Sequence, residues 1–174
     1  MASTLFNSLA TILPSKENLS LWVSCGRVYS VATELNMTYS GVDNPLFLLR
    51  NPSGSNKIGW IYRVSVNVEV TNVLGAFRMF SNPTVSNYGA SQLPVNMYVG
   101  SSRTSSMLTT TLPTVSSPGT KLISIDVSQN NSNASNLITE DFSIAIAPGH
   151  SILLTGNPGS NNRLSSLTFM WAEL

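Results

Sequence analysis

Any histidine-dependent chemistry in this chain has to be built around one residue, His150, because the sequence contains no other histidine. It follows Pro148-Gly149 directly, so it is expected in a solvated turn, with no second histidine to complete a metal site or a proton relay. The eight carboxylates are Glu17, Glu34, Asp43, Glu69, Asp126, Glu140, Asp141 and Glu173. Only Glu140 and Asp141 are adjacent, and neighbours on a strand point to opposite faces, so they do not form a carboxylate pair. A loop calcium site near Asp126 and Glu140-Asp141 is conceivable in oxygen chemistry, but no Asp-x-Asp-x-Asp pattern supports it. No catalytic residue, cofactor site or metal site is therefore assigned, and the chain reads as a non-enzyme.

Other chemistry-bearing groups have plainer readings. Cys25 is the single cysteine, which rules out an intrachain disulfide and suggests a small buried hydrophobe beside Val23. Asn51-Pro-Ser-Gly-Ser-Asn-Lys57 looks superficially like a phosphate loop. It lacks the Gly-Lys-Ser/Thr ending and precedes a valine-rich strand, so a polar inter-strand loop is expected. Trp60, Tyr62, Tyr88 and Tyr98 are the aromatics that could stack on a sugar. Trp60 and Tyr62 share the parity of the valines that follow and are expected in the core. Tyr88, in the loop Asn87-Tyr-Gly89, is the best exposed candidate for a ligand-facing position.

The elements that must position these groups are almost all strands. Ile58 to Thr71 is the clearest: Val64, Val66, Val68 and Val70 alternate with Ser65, Asn67, Glu69 and Thr71, the period-2 pattern of a half-buried strand. Further strands are expected over Leu19–Thr33 (broken by Gly26), Leu46–Arg50, Val73–Phe80, Val95–Val99, Lys121–Val127, Phe142–Ala147, Ser151–Thr155 and Leu164–Trp171. Asn-Pro and Pro-Gly clusters punctuate them. The connections Ser81–Leu93, Ser101–Thr120 and Ser128–Glu140 are too long for tight hairpins, and no internal repeat is read. About nine strands without an internal helix predict an all-β fold, an antiparallel β-sandwich of jelly-roll type, as a single domain over residues 15–174. Residues 1–14 form a short N-terminal arm in which Leu5, Phe6, Leu9 and Ile12 are spaced as contacts. They dock on a neighbouring subunit or pack on their own domain.

Composition narrows the function classes. Charged residues are only 10% of the 174 residues and the net charge is +1, with lysines and arginines scattered singly. That removes the electrostatic basis for nucleic-acid or anionic-membrane binding. Ser, Thr and Asn make up about a third of the chain, giving a polar, nearly neutral surface with little colloidal repulsion, which favours association. The first residues lack the basic and apolar regions of a signal peptide, and no run approaches a membrane span, so a soluble product made in a cytoplasm is expected.

Two segments together carry a resemblance: Leu46-Phe-Leu-Leu-Arg-Asn-Pro-Ser-Gly-Ser-Asn-Lys-Ile-Gly59, and Ile146-Ala-Pro-Gly-His-Ser-Ile-Leu-Leu-Thr155 with the final Leu167-Thr-Phe-Met-Trp-Ala-Glu173. The pair resembles small jelly-roll auxiliary virion proteins of tailed bacteriophages, of the capsid decoration (cement) type, over residues 46–71 and 142–174. The resemblance implies an all-β sandwich, assembly as a homo-oligomer (often a homotrimer), the major capsid protein as partner, and a virion location after synthesis in the bacterial host cytoplasm. It implies no catalytic residues. A carbohydrate-binding jelly-roll module, such as a receptor-binding tip or lectin, is the alternative. If the arm anchors the protein, removing residues 1–13 will reduce its co-sedimentation with shells. Full incorporation of the truncated chain would exclude that role.

Overall fold

The computed structural model describes residues 19–68, 74–128, 136–159 and 162–174. Leu5, Phe6, Leu9 and Ile12 of the arm lie outside the described residues. Among these residues a helix, α1 (Leu19–Ser24), is followed by strands β1 (Val28–Met37), β2 (Asn44–Arg50), β3 (Gly59–Val68), β4 (Leu74–Ser81), β5 (Thr84–Asn87), β6 (Ala90–Gln92), β7 (Val95–Asn96), β8 (Leu108–Thr111), β9 (Thr114–Ser117), β10 (Thr120–Ser128), β11 (Asn136–Ile146), β12 (Ser151–Asn157) and β13 (Arg163–Glu173). The expected all-β sandwich is what forms. One sheet has the order β11-β3-β13-β1-β7, the other β10-β4-β12-β2-β8-β6, and β5 and β9 pair as a separate ribbon. Every pairing is antiparallel. The eight long strands alternate between the two sheets in chain order, from β1 to β4 and again from β10 to β13.

The sheets meet through side chains of one parity. Val31 and Leu35 of β1, Val64 and Val66 of β3, and Leu167, Phe169 and Trp171 of β13 face Phe47 and Leu49 of β2, Phe77 and Met79 of β4, and Ile152 and Leu154 of β12. Phe47 and Phe169 stack across the interface with centroids 5.0 Å apart, an arrangement contributing about 0.5–1.5 kcal/mol beyond area burial. The opposite parity of the second sheet is covered too: Leu48, Phe80 and Leu153 pack against Val85 of β5 and Val115 of β9. That second cover explains why residues 46–49 are uniformly apolar instead of alternating.

On the outer face of the first sheet, α1 does the covering. Trp22 packs with Val28 and Ala172, joined by Leu19, Val23, Trp60, Tyr62 and Leu174. This corrects three expectations. Residues 19–24 are helix, because Leu19, Trp22 and Val23 fall at helical spacing and Gly26 (φ 64°) ends the turn, with Cys25 N–H donating to Leu21 O and Gly26 N–H to Val23 O. Cys25 is exposed, since the helix turns Trp22 toward the sheet and Cys25 away from it. Trp60 and Tyr62 do not share the core face of Val64. The β3–β13 register shifts between Met170 and Trp171, leaving Tyr62 as an extra residue. Ile61 takes the core position, fully buried, and its two neighbours face α1. Burial pushes the Tyr62 hydroxyl up to about 12, with nearby Arg63 opposing and Asp141 reinforcing the shift.

The connections over Ser81–Leu93 and Ser101–Thr120, expected to be too long for tight hairpins, hold β5, β6, β8 and β9 and contain a repeat. Asn82-Pro-Thr-Val-Ser86 with Gly89 is echoed by Leu112-Pro-Thr-Val-Ser116 with Gly119. In both copies a residue in the left-handed region (Asn82, φ 52°; Leu112, φ 51°) leads through proline into a short strand and then a glycine (φ 75° and 88°). The copies clasp each other. A Cβ on Gly89 would lie 2.1 Å from Thr111 O, and one on Gly119 would lie 2.1 Å from Ser81 O. Ser86 Oγ donates to Thr114 O (3.1 Å), and Ser116 Oγ to Thr84 O (3.3 Å). The strand order of the second sheet is correspondingly near-palindromic about β12-β2, with β10-β4 on one side and β8-β6 on the other.

Gly119→Ala should lower stability by more than about 2 kcal/mol in urea titrations, since the added carbon meets backbone and the φ is left-handed. Leu112→Asn should raise it by about 0.5–1 kcal/mol, because leucine is strained at that φ while asparagine is tolerated. Equal effects at the two positions would show that the clasp is not tight.

Candidate functional site

Where β2 ends and β12 begins, the chain runs into the loop 51–57, and one buried side chain organises it. Asn51 N–H donates to His150 O (2.9 Å) and Asn51 O accepts from Gly149 N–H (2.8 Å). Its side-chain amide donates to Lys57 O (2.7 Å) and Ile146 O (2.8 Å), and its Oδ1 accepts from Ser55 Oγ. Five hydrogen bonds thus join the ends of β2 and β11, the loop between β2 and β3, and the Pro148-Gly149-His150 turn. This is the polar inter-strand loop expected of residues 51–57, and no helix follows it.

Beside this knot lies an open cleft of about 570 Å³. One wall is Asn51, Pro52 and Ser53 with Gly149, His150 and Ser151; the other is Asn82, Pro83, Val85 and Tyr88; Arg50 and Leu108 lie between. The turn holding His150 is fastened across the cleft, with His150 Nδ1 3.1 Å from Asn82 Oδ1, Ser151 N–H donating to the same oxygen (3.2 Å), and Asn82 N–H donating to Ser151 O (2.9 Å). His150 is exposed, as its turn position predicts.

Tyr88 stands at the mouth, about half exposed, with the Arg50 guanidinium 3.7 Å from its ring centroid. Two features fix it: Gly89 N–H donates to Asn87 Oδ1 (2.9 Å), and Gly89 is pressed against Thr111 O. Sequence reasoning singled out Tyr88 and passed over Arg50, whose position at the end of a buried apolar strand was the available signal. The lining contains one arginine and one histidine and no carboxylate.

A second cleft of about 400 Å³ is lined by Arg27, Tyr29, Lys57, Ser102, Arg103, Thr104, Glu173 and Leu174. Glu173 is buried within it. Its carboxylate accepts from Lys57 Nζ (3.1 Å), Ser106 N–H (2.9 Å), Trp171 Nε1 (3.3 Å) and the Ser105 hydroxyl. Burial alone would raise this carboxyl, but the Ser105, Ser106, Lys57 and Trp171 bonds together outweigh it and hold it below the ordinary glutamate range. The role is structural: Glu173 ties the segment around residues 105–107 to the last strand.

The other sequence candidates are scattered. Asp126 lies exposed on β10, paired with Ala76 on β4. Asp141 bonds Arg63 (3.0 Å). Asp43 pairs with Arg78 and accepts from Thr155 Oγ1 (3.1 Å). Tyr98 is half exposed on the segment after β7, away from both clefts' linings. Among the described residues no group of three or more His, Cys, Asp or Glu could hold a metal ion, and no helix is long and apolar enough to cross a membrane. The fold and site therefore define an all-β sandwich with a carboxylate-free surface cleft. Compared with family models, curated proteins and solved structures, the chain matches none.

Asn51→Ala should cost about 3 kcal/mol in chemical denaturation, because it strands two buried carbonyls and a hydroxyl. For Glu173 the folded carboxyl is lowered, so its stabilisation is present above the unfolded value of about 4.3 and is lost as pH falls through the folded one. Glu173→Gln should therefore flatten the acid side of the stability–pH curve, with a loss of about 3 kcal/mol near pH 7. An unchanged acid limb would refute this.

Proposed function

We propose that this chain is a non-enzymatic structural protein of a phage particle, a capsid decoration protein that binds the shell as a homo-oligomer and stabilises it. The observation carrying this reading is an exposed apolar segment between β6 and β8. Leu93 is 87% exposed, Val99 91%, and Val95, Met97 and Tyr98 between them are exposed as well. In a chain with so few charges, such a run marks a surface that another protein covers. The alternation of the eight long strands between two sheets supports reading the sandwich as a jelly roll, an architecture used by capsid proteins. The resemblance over residues 46–71 and 142–174 adds the partner, a major capsid protein, and the trimer as the form of the oligomer.

The segment 93–99 also bridges the sandwich: β6 is the edge of one sheet and β7 the edge of the other. An apolar run on that side is placed to bury two open edges at once when a neighbour docks. The carbohydrate-binding reading is favoured by a different observation, the cleft beside Tyr88.

The mass of the purified protein, alone and with undecorated shells, tests the proposal. An oligomer that co-sediments with shells is expected, and Leu93→Asp with Val99→Asp should reduce both association and shell binding at least tenfold. A monomer that ignores shells would overturn it.

A further inference from the structure

We propose that the cleft between Arg50 and His150 binds a carboxylate-bearing sugar, with Arg50 reading the carboxylate. The inference does not depend on the assembly reading, because it uses a different surface.

The charge pattern comes first. The three ion pairs of the described residues join Lys57 to Glu173, Arg63 to Asp141 and Arg78 to Asp43. Arg50 belongs to none of them. Its guanidinium is instead set over the Tyr88 ring, and its Nε is buried without a hydrogen-bond partner. An arginine held flat by an aromatic ring keeps its planar fork preorganised for a carboxylate. With no acidic side chain in the lining, an anionic ligand meets no like-charge repulsion.

The rest of the lining limits what the anion is attached to. Ser53, Asn82 and His150 offer hydrogen-bonding groups on both walls, while Leu108 and Val85 contribute apolar surface. Hydroxyls with an apolar ring face match that mixture, whereas inorganic phosphate uses the charge and leaves the remainder idle. The volume falls within the roughly 300–1,000 Å³ of small-molecule sites, and its openness to solvent suits the end of a chain. The walls are also rigid: Gly89 locks the Tyr88 turn and Asn51 locks the His150 turn, so little ordering is required on binding. The cleft around Glu173 lacks this character, since a carboxylate occupies its floor.

The test is an amide-resolved NMR titration of the full chain with digalacturonate, galactobiose and inorganic phosphate. Digalacturonate is expected to perturb the Asn51 and His150 amides saturably in the millimolar range, and more weakly as salt rises. Galactobiose and phosphate should each bind at least tenfold more weakly. Arg50→Gln should weaken digalacturonate at least tenfold. Ser53→Trp, which blocks the wall without touching β2, should do the same, while Arg103→Gln in the other cleft should leave binding unchanged. No perturbation up to about 20 mM would overturn the proposal. Equal binding of galactobiose would remove the carboxylate, and equal binding of phosphate would remove the sugar.

Discussion

Asn51 is the constraint from which both the fold's end and its cleft take their shape. Three segments far apart in sequence converge there with backbone groups that no strand ladder satisfies: the exit of β2, the exit of β11 and the turn into β12. A buried backbone group without a partner costs as much as a lost hydrogen bond, so the crossing is tolerable only if something supplies the bonds. One asparagine does so, as donor and acceptor from both its main chain and its side chain. Arg50 precedes it directly, and His150 carries the carbonyl that its amide binds. The cleft is the outside of this knot.

The clasped repeat plays the same part on the opposite wall. Each copy needs a left-handed residue to turn out of the sheet and a glycine to come back close to the other copy's carbonyl. The result lays Val85 and Val115 over Leu48, Leu153 and Phe80, so the middle of the second sheet is covered on both faces. This makes the strands beneath the cleft part of a continuous packed body.

Strands with long, regular alternation were legible in the sequence. Val64 and Val66 announce their face, and the turn at Pro148-Gly149 announces the strands on either side. Parity misleads where the register breaks: a bulge leaves no mark in the order of residue types, so alternation counted from Val64 puts Trp60 and Tyr62 on the wrong side of β3. Residues 19–24 failed because six residues with apolar positions at both periods fit helix or strand equally. The repeat is faint in the sequence because its two copies share only Pro-Thr-Val-Ser and a glycine and are embedded in polar residues. Tyr88 stood out as an aromatic in an Asn-Gly loop. Arg50 did not, since its significance depends on a ring brought to it by the clasp.

Gly89, pressed against the Thr111 carbonyl, leaves the residue before it in an unusual position. The backbone of Tyr88 is fixed by its neighbours, while its half-exposed ring is turned to the Arg50 guanidinium. The chain has thereby separated the residues that must be kept from the one that is free to vary. Replacing the aromatic ring changes what the cleft recognises and leaves the clasp whole. That is the arrangement of a scaffold able to exchange one ligand for another over evolutionary time without first having to be restabilised.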